Sequence, residues 1–377
     1  MRLLPAGSLQ LALLLAVTWP TDAASPVHGL ASLPDRPLVF GYLNDLRSTN
    51  APGIDIPRLD FDAVDVVVQG FGEPRFDGTI GFSLGKLVVY RELLIAHAHA
   101  HRKAVVLSIG GGAPERLRNA FASVAANPLR RKTFARNLFQ AVARWNYDGV
   151  DIDYEFPSTP REKDNFTALM RTIHAEFKGA HTNYIVMFGV SPGFYVDQMD
   201  WGRLGGCSDF AFYFGYDWKN PANGPLINPQ AAQWLSGGTE RIEASTRGAI
   251  QYVLAHGFPA GKLIFGVPFY SSTHDSWPVL RETWATNRVW FSNAIDVAAA
   301  EVPFAGRWWT TPEAVQRKMA GVLDPHSSVL TNHVVLRGIG FWEFGHQDVA
   351  KPDLTTAIKE WLAARANAAA VPAAVAK

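Results

Sequence analysis

A single cysteine, Cys207, stands in this chain of 377 residues, so no intramolecular disulfide can form and core packing alone must hold the fold. Net charge is nearly absent too: 35 Lys and Arg face 34 Asp and Glu, leaving +1. That balance offers no electrostatic footprint for nucleic acid or an anionic membrane surface, and the substrate need not be charged. Beyond the N-terminus no stretch approaches the roughly 18 apolar residues of a membrane span. No internal repeat, second domain or appended binding module is visible. The run Gly110-Gly111-Gly112 lacks the Lys that follows in a phosphate-binding loop. In His97-Ala98-His99-Ala100-His101 two imidazoles share a helical face, but no carboxylate or cysteine stands nearby in sequence to complete a metal site. No metal, cofactor, nucleic acid or membrane is therefore expected as a partner.

What is present begins with an address. Arg2 precedes an apolar run from Leu9 to Val17, followed by Thr21-Asp22-Ala23-Ala24, where small residues permit cleavage after Ala23 or Ala24. Residues 1–24 read as a secretory signal peptide, and the remainder as a secreted, soluble monomer, extracellular or periplasmic. Residues 25–366 read as one domain, and the Ala-rich stretch 367–377 as a tail with no core pattern.

Within the domain, short apolar β-branched runs alternate with stretches of helical period. Strands are expected at Leu38–Tyr42, Val64–Gly70, Lys103–Ile109, Gly149–Glu155, Tyr184–Val190, Asp209–Tyr216, Leu263–Pro268 and Gly338–Trp342. Helical spacing runs through Lys86–His101, Pro114–Trp145, Pro160–Lys178, Thr239–His256, Thr311–Leu323 and Leu354–Arg365. Eight nearly continuous apolar strands argue for a parallel sheet buried on both faces. Closed on itself, that sheet is an α/β fold of the (β/α)8 TIM-barrel type, for which roughly 340 residues is a fitting length. An open doubly wound sheet is the alternative. After the seventh strand, an insertion at about 271–309 carries several tryptophans but no clear regular element, and reads as a wall of the cleft or a small satellite core.

The segment Asp148-Gly149-Val150-Asp151-Ile152-Asp153-Tyr154-Glu155 sets four acids in eight residues on an otherwise apolar strand. Alternate side chains of a strand share a face, so Asp151, Asp153 and Glu155 point one way with Cα atoms roughly 7 Å apart. Gathering ionised carboxylates away from water costs several kcal/mol per charge unless protons and hydrogen bonds compensate. A calcium loop would place its ligands on a turn with Gly at the sixth position, whereas a strand pattern runs straight through here. Crowded like charges keep a carboxyl group protonated near working pH, so the row reads as catalytic. Glu155, just before Phe156-Pro157, is expected at the barrel mouth, with Asp153 and Asp151 beneath it.

The pattern Asp148-Gly149-X-Asp151-X-Asp153-X-Glu155 resembles the signature of glycoside hydrolase family 18, the chitinase family. Ser108-Ile109-Gly110-Gly111 resembles that family's motif at the end of the third strand. Tyr216-Asp217 is similar to its sixth-strand motif, with Phe214 where Met is usual. Gly266-Val267-Pro268-Phe269-Tyr270 and Gly340-Phe341-Trp342-Glu343 resemble the seventh and eighth. The five matches fall in family order across residues 38–345.

The resemblance implies substrate-assisted, retaining hydrolysis of β-1,4 bonds beside N-acetylglucosamine, in chitin or its oligosaccharides. It implies Glu155 as general acid and then base, and Asp153 as the group that orients the substrate acetamide. Asp151 would share a proton with Asp153, and Tyr216 would donate to the acetamido carbonyl. Substrate contacts are implied for Asp217 and for Trp342 as a floor under the sugar, with Tyr42 and Ser108 as further substrate-binding candidates. Ser108 has a second reading, as a donor to the deeper acids. Asp148 and Gly149 read as structural parts of the motif, and no metal is implied. An endo-β-N-acetylglucosaminidase acting on N-glycan chitobiose cores would use the same acids. A non-catalytic lectin of this fold is the remaining alternative, although such proteins typically lack the terminal Glu that Glu155 supplies.

Overall fold

The computed structural model describes residues 26–44, 55–82, 86–112, 114–190, 193–217, 225–238, 240–272, 275–294 and 302–370. The expected signal peptide and the last residues of the expected tail lie outside these. Eight parallel strands form the centre: β1 (Leu38–Asn44), β2 (Val66–Pro74), β3 (Ala104–Gly110), β4 (Gly149–Asp153), β5 (Ile185–Val190), β6 (Phe210–Phe214), β7 (Leu263–Pro268) and β8 (Gly338–Trp342). Each pairs with its chain neighbours, and β1 pairs with both β2 and β8, in registers Tyr42↔Val68 and Leu38↔Gly338. The sheet is therefore a closed (β/α)8 barrel, and the open alternative is set aside.

Period-two alternation sorts the side chains into two apolar layers. Leu38, Phe40 and Tyr42 of β1 meet Val66, Val68, Phe212, Phe214 and Ile264 inside the barrel. Val39 and Leu43, with Val150 and Ile152 of β4 and the following Tyr154, join the larger layer between strands and helices. This double burial is what the unbroken apolar runs of the sequence encode.

The surrounding helices are α1 (Lys86–Ala100), α2 (Glu115–Ala126), α3 (Pro128–Arg144), α4 (Pro160–Ala180) and the short α5 (Trp201–Gly205). They continue with α6 (Thr246–Ala255), α7 (Trp277–Thr286), α8 (Arg288–Ala294), α9 (Pro312–Leu323) and α10 (Asp353–Ala370). The expected helix Pro114–Trp145 is broken in two. Asn127 caps α3, its side chain accepting from Leu129 N at 2.9 Å and Arg130 N at 3.1 Å, and Pro128 occupies the first turn. The expected helix Thr239–His256 begins only at Thr246, where Ser245 Oγ accepts from Gly248 N at 3.1 Å. The residues before it form one strand of a hairpin, Ala232–Trp234 with Arg241–Glu243.

The insertion after β7 also differs from expectation, because its described residues include regular elements. It holds α7, α8 and an antiparallel hairpin of Val302–Phe304 with Arg307–Trp309. Trp277, Leu280 and Trp284 recur at helical spacing and are buried, a short period obscured by bulky neighbours. Trp277 and Trp284 pack with centroids 5.2 Å apart, and Trp309 packs on Phe291 at 5.3 Å. These tryptophans extend the core layer between strands and helices rather than forming a separate satellite core. At the other end, α10 runs five residues past Arg365, where its apolar period fades into alanine.

Candidate active site

The strand β4 stops at Asp153, two residues before its expected end, and Glu155 follows on irregular backbone with a cis Glu155–Phe156 peptide. Asp153 and Glu155 open into a cleft of about 330 Å³ at the C-terminal ends of the strands, the end where barrels of this type assemble their chemistry. Tyr216, Asp217, Tyr270 and Trp342 line the same cleft, together with Phe156, Tyr195, Phe214 and Gly112.

Asp153 is set by the backbone beside it. Gly110 takes φ +122°, and a Cβ there would stand 2.0 Å from the Asp153 carbonyl oxygen, so only glycine lets the two strand ends meet. Gly111 N then donates to that carbonyl at 3.1 Å.

Beneath the cleft, Asp151 is fully buried and its Oδ2 accepts from Tyr42 Oη at 3.0 Å and Ser108 Oγ at 2.7 Å. Tyr42 and Ser108, candidates for substrate contact, do not line the cleft; they brace the deeper acid, as the second reading of Ser108 has it. Asp151 Oδ1 and Asp153 Oδ1 are buried with no hydrogen-bond donor among the described residues. Two ionised carboxylates at this depth, each with one oxygen lacking a donor, would be costly, and a proton carried by one of the pair removes the difficulty. Burial pushes Asp151 up to about 6, opposed by the Ser108 and Tyr42 hydroxyls. Asp153 is raised well above the usual carboxylate range by burial first, then by the charges of Glu155 and Asp151.

Glu155 is partly exposed at the rim. Burial and then the Asp217 charge push it up to about 7, while the Gly112 N–H bonded to it pulls the other way. A carboxyl group poised there can both give and take a proton near neutral pH. Tyr216 is raised well above 10, by burial first and then by Tyr270 and Asp217, so its hydroxyl stays a neutral donor. Asp217 adopts a left-handed φ of 57° and accepts from Tyr270 Oη at 2.7 Å. Trp342 rests against Tyr42 at 5.4 Å and Phe71 at 5.8 Å between ring centroids. Its strand β8 stands opposite β4 in the eight-membered ring, so Trp342 and Glu155 occupy facing walls.

Asp148 lies at the other end of β4, fully buried in the barrel floor. It accepts from His28 N, His99 Nε2 and Val105 N, each at 2.8 Å. Gly149 beside it allows β5 to approach, since a Cβ there would meet the Ile185 carbonyl oxygen at 2.3 Å. The histidine run thus does find carboxylates that sequence distance concealed: His99 meets Asp148, and His101 Nδ1 lies 3.5 Å from Asp62. Among the described residues no group of three or more His, Cys, Asp or Glu is arranged to hold a metal ion.

Tyr270, Tyr195 and Phe156 are cleft residues that sequence reasoning did not single out as site residues. Tyr270 carried a signal, since it closes the seventh-strand motif. Tyr195 lies in the short 3-10 turn Gly193–Gln198 and carried none.

The sequence matches the family described as Glycosyl hydrolases family 18 over residues 39–348, and the chain belongs to that family. Among its relatives, "Chitinase 1" of Aphanocladium album is 25% identical over 299 residues, 69% of this chain and 67% of that protein. "Class V chitinase" of Arabidopsis thaliana is 29% identical over 184 residues, 44% of each chain. Among solved structures, the Ostrinia furnacalis Group IV chitinase in complex with allosamidin is similar with a TM-score of 0.70 at 18% identity, covering 87% of this chain and 99% of that one. A chitinase-like agglutinin from Robinia pseudoacacia is similar at 0.65 and 17% identity, covering 85% and 99%. At such identities the structural likeness speaks for the fold.

Proposed function

We propose that this chain is a secreted, retaining chitinase that cleaves β-1,4 bonds beside N-acetylglucosamine with the help of the substrate's own acetamido group. The observation that carries the reading is the pairing of Glu155, held near 7 at the rim, with Asp153, whose buried Oδ1 receives no donor from the described residues. The substrate's acetamide N–H can supply one. Its carbonyl oxygen, receiving the Tyr216 hydroxyl, is then aimed at the anomeric carbon.

In the first step that oxygen forms a bond to the anomeric carbon as the glycosidic bond breaks, and Glu155 gives its proton to the departing oxygen. The ring formed is an oxazolinium, whose nitrogen carries positive charge beside Asp153. In the second step Glu155 takes a proton from water, which attacks the same carbon and reopens the ring. Two inversions leave the configuration retained. The hydroxyls of Tyr42 and Ser108 hold Asp151 under Asp153, and Trp342 offers an indole face to the sugar's C–H surface.

The test is incubation of the purified chain with chitin oligosaccharides, with cello-oligosaccharides and with a high-mannose glycoprotein, followed by anomer analysis. The proposal expects cleavage of the first alone, with β-anomers formed initially. Cleavage of only the glycoprotein moves the substrate to N-glycan cores. Hydrolysis of the cello-oligosaccharides, which have no acetamido group, removes substrate assistance. Binding without turnover across about pH 4–8 identifies a lectin.

A further inference from the structure

The connection between β6 and α6 carries a device that the proposed reaction does not use. Its hairpin, Ala232–Trp234 paired with Arg241–Glu243, is fixed at the base: Glu243 accepts from Asn228 N and from Arg247 Nη2, both at 2.6 Å. The turn of the hairpin is fixed elsewhere on the rim. The Asp197 carboxylate accepts from the Ser236 hydroxyl and from Gly237 N, the latter at 2.7 Å. Lys163 Nζ donates to the Asp197 carbonyl at 3.2 Å, tying the same residue to α4.

Asp197 lies two residues from Tyr195 on the 3-10 turn Gly193–Gln198, and Tyr195 lines the cleft. The Tyr195 ring stacks on Phe156 with centroids 5.2 Å apart and planes at 25°. Phe156 directly follows Glu155. These groups occupy consecutive sectors of the rim, beyond β4, β5 and β6, on the wall opposite β8 and its Trp342. The hairpin also presents Trp234, which is 57% exposed with the Arg241 guanidinium 5.2 Å from its ring centroid. The fold gains little by leaving an indole in water, whereas flat aromatic faces suit the C–H faces of pyranose rings.

We propose that this hairpin, latched through Asp197, forms a binding surface for the sugars on the leaving-group side of the scissile bond. Phe156 and Tyr195 meet the first of these, and Trp234 meets a unit further out. The assignment of side rests on the reading of Glu155 as proton donor, because that group protonates the leaving sugar and Phe156 adjoins it. Trp234 touches sugar; Asp197 is a positioning residue that acts through Tyr195.

The test uses the full chain and chitin oligosaccharides of three and six units. Trp234→Ala and Asp197→Ala should lower the six-to-three ratio of kcat/KM about five- to tenfold, through KM, as expected for one aromatic contact. Asp197→Asn, which keeps an acceptor for Gly237 N, should restore most of the ratio. An unchanged ratio overturns the proposal, and so does an equal loss on both substrates, which a merely structural role for Asp197 would give. Binding of the hexamer to Glu155→Gln, with and without Trp234→Ala, gives a readout that does not depend on turnover. Weaker binding in the double variant supports the surface even if the wild type cleaves nothing, in which case the glycosidase reading alone fails. Equal binding overturns the surface.

Discussion

Replacing Glu155 by Gln tests the electrostatics of the mouth through folding as well as through rate. Burial and Asp217 hold Glu155 at about 7, against an ordinary value of 4.5. A difference of about 2.5 pH units corresponds to roughly 3 kcal/mol. The folded chain holds this proton more tightly than the unfolded chain does, so it carries the extra proton between about pH 4.5 and 7. Stability must then fall as pH rises through that window, and the penalty is complete above it and absent below it. The substituted amide does not titrate. The unfolding free energy of wild type minus variant should therefore drop by about 2–3 kcal/mol between about pH 4 and pH 8. The altered bond to Gly112 N–H adds only a constant offset. Loss of the Glu155 charge also relieves Asp153, which acts in the same direction. Guanidinium denaturation of both proteins across that range reads the difference. A flat profile, or one that rises with pH, refutes the reasoning whatever the activity shows.

Asp153→Asn should lower kcat by about 10²–10³ while hexamer affinity in calorimetry changes little; a rate near wild type would remove Asp153 from the reaction. Asp217→Asn removes a charge that raises Glu155, so the alkaline limb of kcat/KM should move to lower pH, and an unmoved limb would count against the coupling. Asp148→Ala leaves His28 N, Val105 N and His99 without their acceptor. It should cost roughly 3 kcal/mol in chemical denaturation, and a loss under about 1 kcal/mol would show that the floor network is dispensable.

The barrel was legible because its strands are buried on both faces, which leaves long apolar runs that a one-sided sheet lacks. Leu263–Pro268 and Gly338–Trp342 fall where the sequence places them. The acid row was legible for the opposite reason, since Asp151 and Asp153 break such a run without a turn. What the sequence concealed is contact between distant segments. His99 finds Asp148 across 49 positions and Tyr270 finds Asp217 across 53, and no local period marks either pair. For Ser108 the sequence already offered the deeper acids as partners, but for Tyr42 only the barrel interior shows that it points at Asp151 rather than at the cleft. In the insertion, α7 and α8 escaped notice because seven- to ten-residue helices rich in Trp and Val leave too few turns for a period to show.

Asp148 and Glu155 flank strand β4 at its two ends, with the His99 imidazole on the lower acid. Five strand residues at about 3.3 Å each put roughly 16 Å of β4 between the two. The anchor on the underside, away from the cleft, and the pairing of β4 with β3 and β5 together set where the proton-bearing group stands. Someone wishing to retune turnover without disturbing sugar recognition has a handle on the far side of the molecule.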